Sequence, residues 1–310
     1  MELIEWILQD ENINKAIKSV KKNKGACGTD KMSVEELDGY FAKHREEIKS
    51  QIRDGKYKPI PVRRVYIPKS NGRKRPLGIP TVVDRVVQQA TAQVLSLGYD
   101  KYFSEHSYGF RPGRSCQQAI EEALVYLNEG YEWVIDLDIE KYFDTVNHDK
   151  LISILRERIN DAKTLRLIRQ FLQAGVMENG LISPSKEGVP QGGPLSPILS
   201  NVYLDKLDQE LEARGLHFVR YADDCNIFVK SEMAADRVMK SVTSWLERKL
   251  RLKVSATKQK LSDQQKVTFL DLHFGSPKMD GNASRQMTER KGYTLKPVQY
   301  FVEEKLLQDL

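Results

Sequence analysis

Apolar side chains recur at three-and-four spacing through Leu3, Ile7, Ile13, Ile17 and Val20, so the chain is predicted to open as helix to about residue 24. Ser33 and Glu36 form a capping box for the next helix. Two short β-prone runs within residues 63–80 flank Asn71-Gly72 and predict a hairpin. Thr81-Val82-Val83-Asp84-Arg85 opens a helix running to about Leu97. Ser115 caps another, with Ala119, Ile120, Ala123, Leu124 and Leu127 on one face and Gly130 at its end. At 133–139 the period changes to two: Ile135, Leu137 and Ile139 take one face of a strand, Asp136 and Asp138 the other. Helices are expected at about 148–158 and 162–174, and again after Pro197 through Leu199, Val202, Tyr203 and Leu207. Strands at 216–221 and 225–230, a helix at 233–250, a strand at 267–274 and a short helix at 298–310 complete the pattern. That order suits an α+β fold built on a split βαβ sheet with helices on one face.

The chemistry lies where the polar residues interrupt this pattern. Tyr221-Ala222-Asp223-Asp224 sits between two apolar strands, and neighbouring carboxylates repel unless a cation neutralises them. Asp is also an ordinary turn residue, so this stretch alone leaves the matter open. The strand carrying Asp138 changes the picture, because placing it beside the turn converges three carboxylates on one point. Such an oxygen cluster suits Mg²⁺, and two ions can clamp the attacking and leaving oxygens of a phosphoryl displacement.

Residues 63–75 hold six basic side chains and no acid, stiffened by prolines at 61, 68, 76 and 80. A rigid basic hairpin fits a fixed phosphate, although a solvated loop would have the same composition. Ser107-Tyr108-Gly109-Phe110-Arg111-Pro112-Gly113-Arg114 mixes aromatics and arginines as surfaces that stack bases and touch phosphates do. Core aromatics beside surface arginines would read the same way. Gly188-Val189-Pro190-Gln191-Gly192-Gly193 offers a backbone that a ligand can approach closely.

Among 310 residues, 30% are charged and 40% apolar, and the net charge is +6, which agrees with a polyanionic partner, although charge alone is better explained by a lysine-rich surface. The three cysteines, Cys27, Cys116 and Cys225, form no CxxC pair, so neither a zinc site nor a disulfide framework is indicated and a reducing, cytoplasmic setting is expected. No run reaches the length of a membrane span and no signal peptide is expected at the start.

Taken together, IPKSNGRKRPLGIP, DRVVQ, YGFRPGRS, DLDIEKYFD, GVPQGGPLSPILSNVYLD and the YADD turn, in that order, resemble reverse transcriptases, most closely the group II intron-encoded kind that also serves as a maturase. The resemblance covers about residues 24–275 and includes a GTDKMS loop shared with non-LTR-retroelement enzymes. It implies the fingers and palm of a right-hand polymerase: 1–130 mainly fingers, 131–182 palm with Asp138, 183–214 a connecting motif and helix, 215–290 palm with the YADD turn and primer grip, and 291–310 the start of a thumb or a tail, the thumb itself being absent. It implies Asp138, Asp223 and Asp224 as catalytic metal ligands with the Ile139 carbonyl beside them. It implies Phe143 as a gate against the ribose 2′-OH, Lys69 and Arg75 as grips on the triphosphate, Gln191 and Gly192 as neighbours of the incoming nucleotide, and Lys258 as a general acid. Arg63, Arg64, Arg111 and Arg114 are expected to contact RNA. Phe269-Leu270-Asp271-Leu272 resembles the primer grip, with Asp271 where the family usually has Gly. The implied cofactor is Mg²⁺ (two ions, with Mn²⁺ as a substitute). The implied partners are an RNA template, a DNA primer, deoxynucleoside triphosphates and intron RNA, with no membrane and with a homodimer allowed. The resemblance also allows two other readings, a splicing cofactor that only binds RNA and a retron-type enzyme.

Overall fold

The computed structural model describes residues 2–68, 74–260, 267–269 and 272–274. The expected helix at 298–310, Lys69, and Leu270-Asp271 of the primer-grip motif lie outside the described residues. In chain order the first elements are α1 (Leu3–Ile7), α2 (Asp10–Lys22), α3 (Leu37–Arg53), β1 (Val62–Pro68), β2 (Lys74–Ile79), α4 (Val82–Tyr99), α5 (Cys116–Asn128) and β3 (Trp133–Ile139). There follow α6 (Tyr142–Thr145), α7 (His148–Arg156), α8 (Ala162–Leu172), β4 (Val176–Glu178), β5 (Leu181–Ser183) and α9 (Ser196–Ala213). The last are β6 (His217–Tyr221), β7 (Asp224–Val229), α10 (Glu232–Trp245), β8 (Val254–Lys260), β9 (Val267–Phe269) and β10 (Leu272–Phe274).

Contacts divide the chain into two units. One holds the residues up to Tyr102 and Lys141–Tyr203; the other holds Phe103–Glu140 and the described residues from Leu204 onward. This differs from the division expected from the motifs. Helix α5 belongs with the strands of the second unit, because Ala119, Ile120, Ala123 and Leu127 form a core with Val134, Val219 and Phe228. Residues 141–182, expected with the palm, cluster with the first unit instead.

In the first unit, the predicted opening helix is two helices, broken at Leu8-Gln9. Asp161 ties this start to α8: its carboxylate accepts from the Ile4 N–H at 2.7 Å and also caps α8 at Lys163 N and Thr164 N. Thr81 caps α4 through the Asp84 N–H. The same unit holds a sheet of order β2-β1-β4-β5, β1 pairing antiparallel with β2 and parallel with β4. Strands β4 and β5 were not expected. Asn179 and Gly180 between them have φ of 51° and 81°, the left-handed pair that a two-residue hairpin turn requires.

In the second unit the sheet order is β6-β7-β3-β8, antiparallel throughout. The fourth strand is β8, not the predicted strand at 267–274; that segment holds β9 and β10, which among the described residues pair with each other. One face of the sheet packs on α5, and α10 lies against β8, β3 and β7. After Trp245, helix α10 continues as a π turn to Leu250 and stops at Arg251, whose φ is 56°.

Candidate active site

The YADD motif is a tight hairpin. Tyr221 pairs with Asp224, which leaves Ala222 and Asp223 as the two loop residues. Ala222 takes φ 58°, the left-handed region where a side chain is strained by about 1–2 kcal/mol. Strand β3 pairs with β7 up to Leu137↔Cys225, so the next position in the same register sets Asp138 opposite Asp224. Opposite residues of an antiparallel pair share a face, with Cα atoms about 4.5–5.5 Å apart. Asp138, Asp223 and Asp224 therefore meet at one corner of the sheet, Asp138 and Asp224 exposed and Asp223 half-buried. At the end of β3 the Glu140 N–H donates to Lys253 O at 3.0 Å. The Ile139 carbonyl, across the same trans peptide, turns toward the hairpin side. Asp136 lies two pairs further back than Asp138, opposite Asn226, whose Nδ2 donates to it at 3.4 Å.

This donor set is oxygen only and anionic, the kind a hard divalent cation takes. Among the described residues no three His, Cys, Asp or Glu side chains close into a ready-made cage. Asp138, Asp223 and Asp224, with the Ile139 carbonyl, fit such an ion in kind.

The 103–114 segment supports the hairpin from its outer edge. Tyr108 N–H donates to Arg220 O and Arg220 N–H to His106 O, each at 2.9 Å, so this loop covers the open edge of β6. Gly109 then passes so close to the turn that an added Cβ would lie 2.2 Å from Ala222 N. Phe110, half-exposed, also adopts a positive φ of 59°. One arginine of this loop does not lie as expected. Arg111 is buried, and its Nη1 donates to Ser104 O at 2.6 Å and Ser107 O at 2.9 Å, so its guanidinium holds the loop together instead of facing a nucleic acid. Arg114 pairs with Glu105 and stands 5.4 Å from the centre of the Tyr108 ring.

Sequence reasoning missed the residue beneath the turn. Arg220 is fully buried and forms a bidentate ion pair with Asp208 of α9, Nε to Oδ1 at 2.7 Å and Nη2 to Oδ2 at 2.6 Å. Its Nη1 donates to Ala222 O and its Nη2 to Ser107 Oγ, both at 2.7 Å. The signal was legible: Asp208 interrupts the apolar stripe Leu204, Leu207 and Leu211, and Arg220 stands alone among Phe218 and Val219.

Lys258 requires a correction. It pairs in register with Ile135 on β8, whereas Ser255 is the residue opposite Asp138. Because strand side chains alternate, Lys258 takes the face of Ile135 and not that of Asp138, about 10 Å back along the ladder. There its Nζ donates to Asp236 Oδ1 at 2.6 Å and Glu232 Oε1 at 3.3 Å, both on α10, and the Asp236 bond raises its pKa. A helix-facing ion pair is no proton donor to the carboxylate corner.

The remaining expected residues belong to the first unit. Arg75 on β2 donates from Nε to Gln191 Oε1 at 3.1 Å, and Gln191 O accepts from Gly78 N–H at 2.8 Å, so the 190–193 segment runs along β2. Gly192 has φ 107°, and a Cβ at Gly193 would sit 2.4 Å from Gln88 Oε1. Phe143 is buried on α6 with its ring centre 5.1 Å from that of Tyr142, and its carbonyl accepts from Val189 N–H at 2.6 Å. Arg63 donates from Nε and Nη2 to Cys27 O at 3.1 and 2.8 Å, next to the GTDKMS loop. Arg64 is half-buried on β1.

A family model described as reverse transcriptase (RNA-dependent DNA polymerase) matches residues 67–274. The protein YkfC of Escherichia coli (strain K12) is 34% identical over 299 residues, 84% of this chain and 78% of that protein. The group II intron-encoded protein LtrA of Lactococcus lactis subsp. cremoris is 38% identical over 208 residues, 67% of this chain but 34% of LtrA. Among solved structures, a chain of the partial Cas6-RT-Cas1–Cas2 complex aligns at a TM-score of 0.51 and 28% identity, covering 80% of this chain and 43% of that one.

Proposed function

The chain belongs to the reverse transcriptase family, and from that premise we propose that it copies RNA into DNA as the catalytic part of a group II intron-encoded protein. The observation that carries this reading is the strand register that sets Asp138 beside Asp223 and Asp224. The family uses divalent metal ions, and here Mg²⁺ would be held by those carboxylates and the Ile139 carbonyl. Bound there, the metal supplies neutralisation of the charge that develops on phosphoryl oxygens.

The chain's own residues contribute position and exclusion. Arg75, with Lys69, is assigned to the triphosphate of the incoming deoxynucleotide, and its bond to Gln191 keeps the guanidinium extended along β2. The buried ring of Phe143, backed by Tyr142, is assigned to the ribose 2′ position, where a rigid aromatic excludes a hydroxyl by size. Gly192 allows close backbone approach to the nucleotide. The partners are an RNA template, a DNA primer and intron RNA, with the net charge of +6 favouring all three. We propose the cytoplasm as the setting of this chemistry, where reverse transcription of intron RNA would serve retrohoming.

Replacing Asp223 by Asn is expected to abolish primer extension on an RNA template while RNA binding persists. Extension at the normal rate would remove the site. A second role, holding intron RNA for splicing, is supported by the six basic residues of 63–75 and by the intron-encoded relative. The same Asp223→Asn protein should then still rescue splicing.

A further inference from the structure

We propose that Arg220 is a positioning residue for the catalytic turn: by binding Asp208 and the Ala222 carbonyl together, it fixes the peptide plane from which Asp223 projects. This rests on the reading of Asp223 as a metal-binding carboxylate.

A buried ion pair is a poor device for stability alone, since well-packed apolar residues of similar volume do as well or better. What apolar residues cannot do is hold an orientation. The guanidinium is a rigid planar fork, and here Nε and Nη2 engage both oxygens of Asp208 while Nη1 is left aimed at Ala222 O at 2.7 Å. Asp208 belongs to α9, an 18-residue helix, and neither side chain of the pair is exposed. The turn is thereby referenced to a helix and not to its own two loop residues alone.

The contacted atom matters most. The Ala222 carbonyl lies in the peptide unit that ends at the Asp223 nitrogen, and that unit is planar. Holding its oxygen sets ψ of Ala222 and φ of Asp223, and so the direction in which the Asp223 side chain leaves the backbone. Ala222 at φ 58° is strained, and a strained residue persists only where its surroundings over-determine it. Arg220 lies on the sheet face opposite Asp138 and Asp224, because it pairs with Cys225 while Tyr221 pairs with Asp224. It therefore acts on the carboxylates only through the backbone. Ser107 Oγ, accepting from Nη2 at 2.7 Å, brings the 103–114 loop into the same arrangement.

Two variants test this. Arg220→Met combined with Asp208→Leu removes the pair without leaving a buried charge, so it should fold and melt like the parent. Single-turnover addition of one deoxynucleotide should fall about 100-fold, the effect expected of a misplacement near 1 Å, with primer–template affinity unchanged. Hydrogen exchange measured without metal should rise in the peptide spanning 218–226 and not elsewhere. Arg220→Lys keeps the charge but replaces the fork by a single point, and should also be slow while folded. Parental rates in either folded variant, or unchanged exchange in the 218–226 peptide, would overturn the proposal. Asp223→Asn is run alongside: if that variant is active, the polymerase site itself is misassigned, whereas its inactivity beside fully active Arg220 variants sinks the positioning role alone.

Discussion

Gly109→Ala perturbs the catalytic turn from outside the sheet. The added methyl would stand 2.2 Å from Ala222 N, 2.9 Å from Ala222 Cα and 3.0 Å from Tyr221 C, all backbone atoms that cannot rotate away. To restore even 3.0 Å, loop and turn must part by roughly 0.8 Å, since close-packed interiors leave no slack. That motion pulls on the Tyr108 N–H bond to Arg220 O, 2.9 Å long, and lifts the turn from its support. Overpacking of this kind costs about 1–3 kcal/mol of stability. A shift of nearly 1 Å at a carboxylate that must meet reacting atoms costs about 10²-fold in rate. The assay is single-turnover addition of one nucleotide to a primer on RNA, with melting followed in parallel. Gly113→Ala is the control: it lies in the same loop at φ 72°, so it loses about 1–2 kcal/mol to backbone strain, but its Cβ meets nothing within 4 Å. Its rate should stay near the parent's. If Gly109→Ala extends primers normally, or Gly113→Ala slows as much, the close approach to Ala222 does not govern the site.

The remaining expectations concern groups around the same two units. Lys258→Met should leave the pH dependence of extension unchanged, because the lysine faces Asp236 and Glu232; loss of a basic limb in the pH–rate profile would restore it as a proton donor. Phe143→Ala should raise incorporation of ribonucleotides relative to deoxynucleotides, and unchanged sugar selectivity would remove the ring from that role. Hydrogen bonding to Glu122 holds His106 above its ordinary 6.5. Burial pushes Glu122 up, but bonds from His106, Tyr108 and Tyr126 outweigh it and hold the carboxyl below 4.5. The His106 contribution is thus complete below pH 6.5 and fades as pH rises through its elevated pKa, while that of Glu122 is complete above pH 4.5 and fades as pH falls. Urea denaturation across that range should show a stability maximum for the parent that flattens in Glu122→Gln; identical profiles would refute the coupling.

Much of the site was written locally. The period-two alternation of 133–139 put Asp138 on a polar face, and the apolar flanks of Tyr221-Ala222-Asp223-Asp224 made it a hairpin, because strand geometry alone dictates both. The capping residue Ser115 announced its helix for the same reason: a side chain bonds a backbone three residues away. Tertiary pairing decided the rest. Which face Lys258 takes depends on β8 aligning Ser255, not Lys258, with Asp138, and a one-residue slip would have reversed it. Arg111 reads in sequence as a surface cation beside aromatics, and only the closed loop shows its guanidinium between two backbone carbonyls. Arg220 and Asp208 lie 12 positions apart, on a strand and a helix whose packing no local period encodes. The sequence determined which residues carry charge and how each element alternates; the fold decided which of those charges face one another, because register and packing join segments that the chain itself keeps far apart.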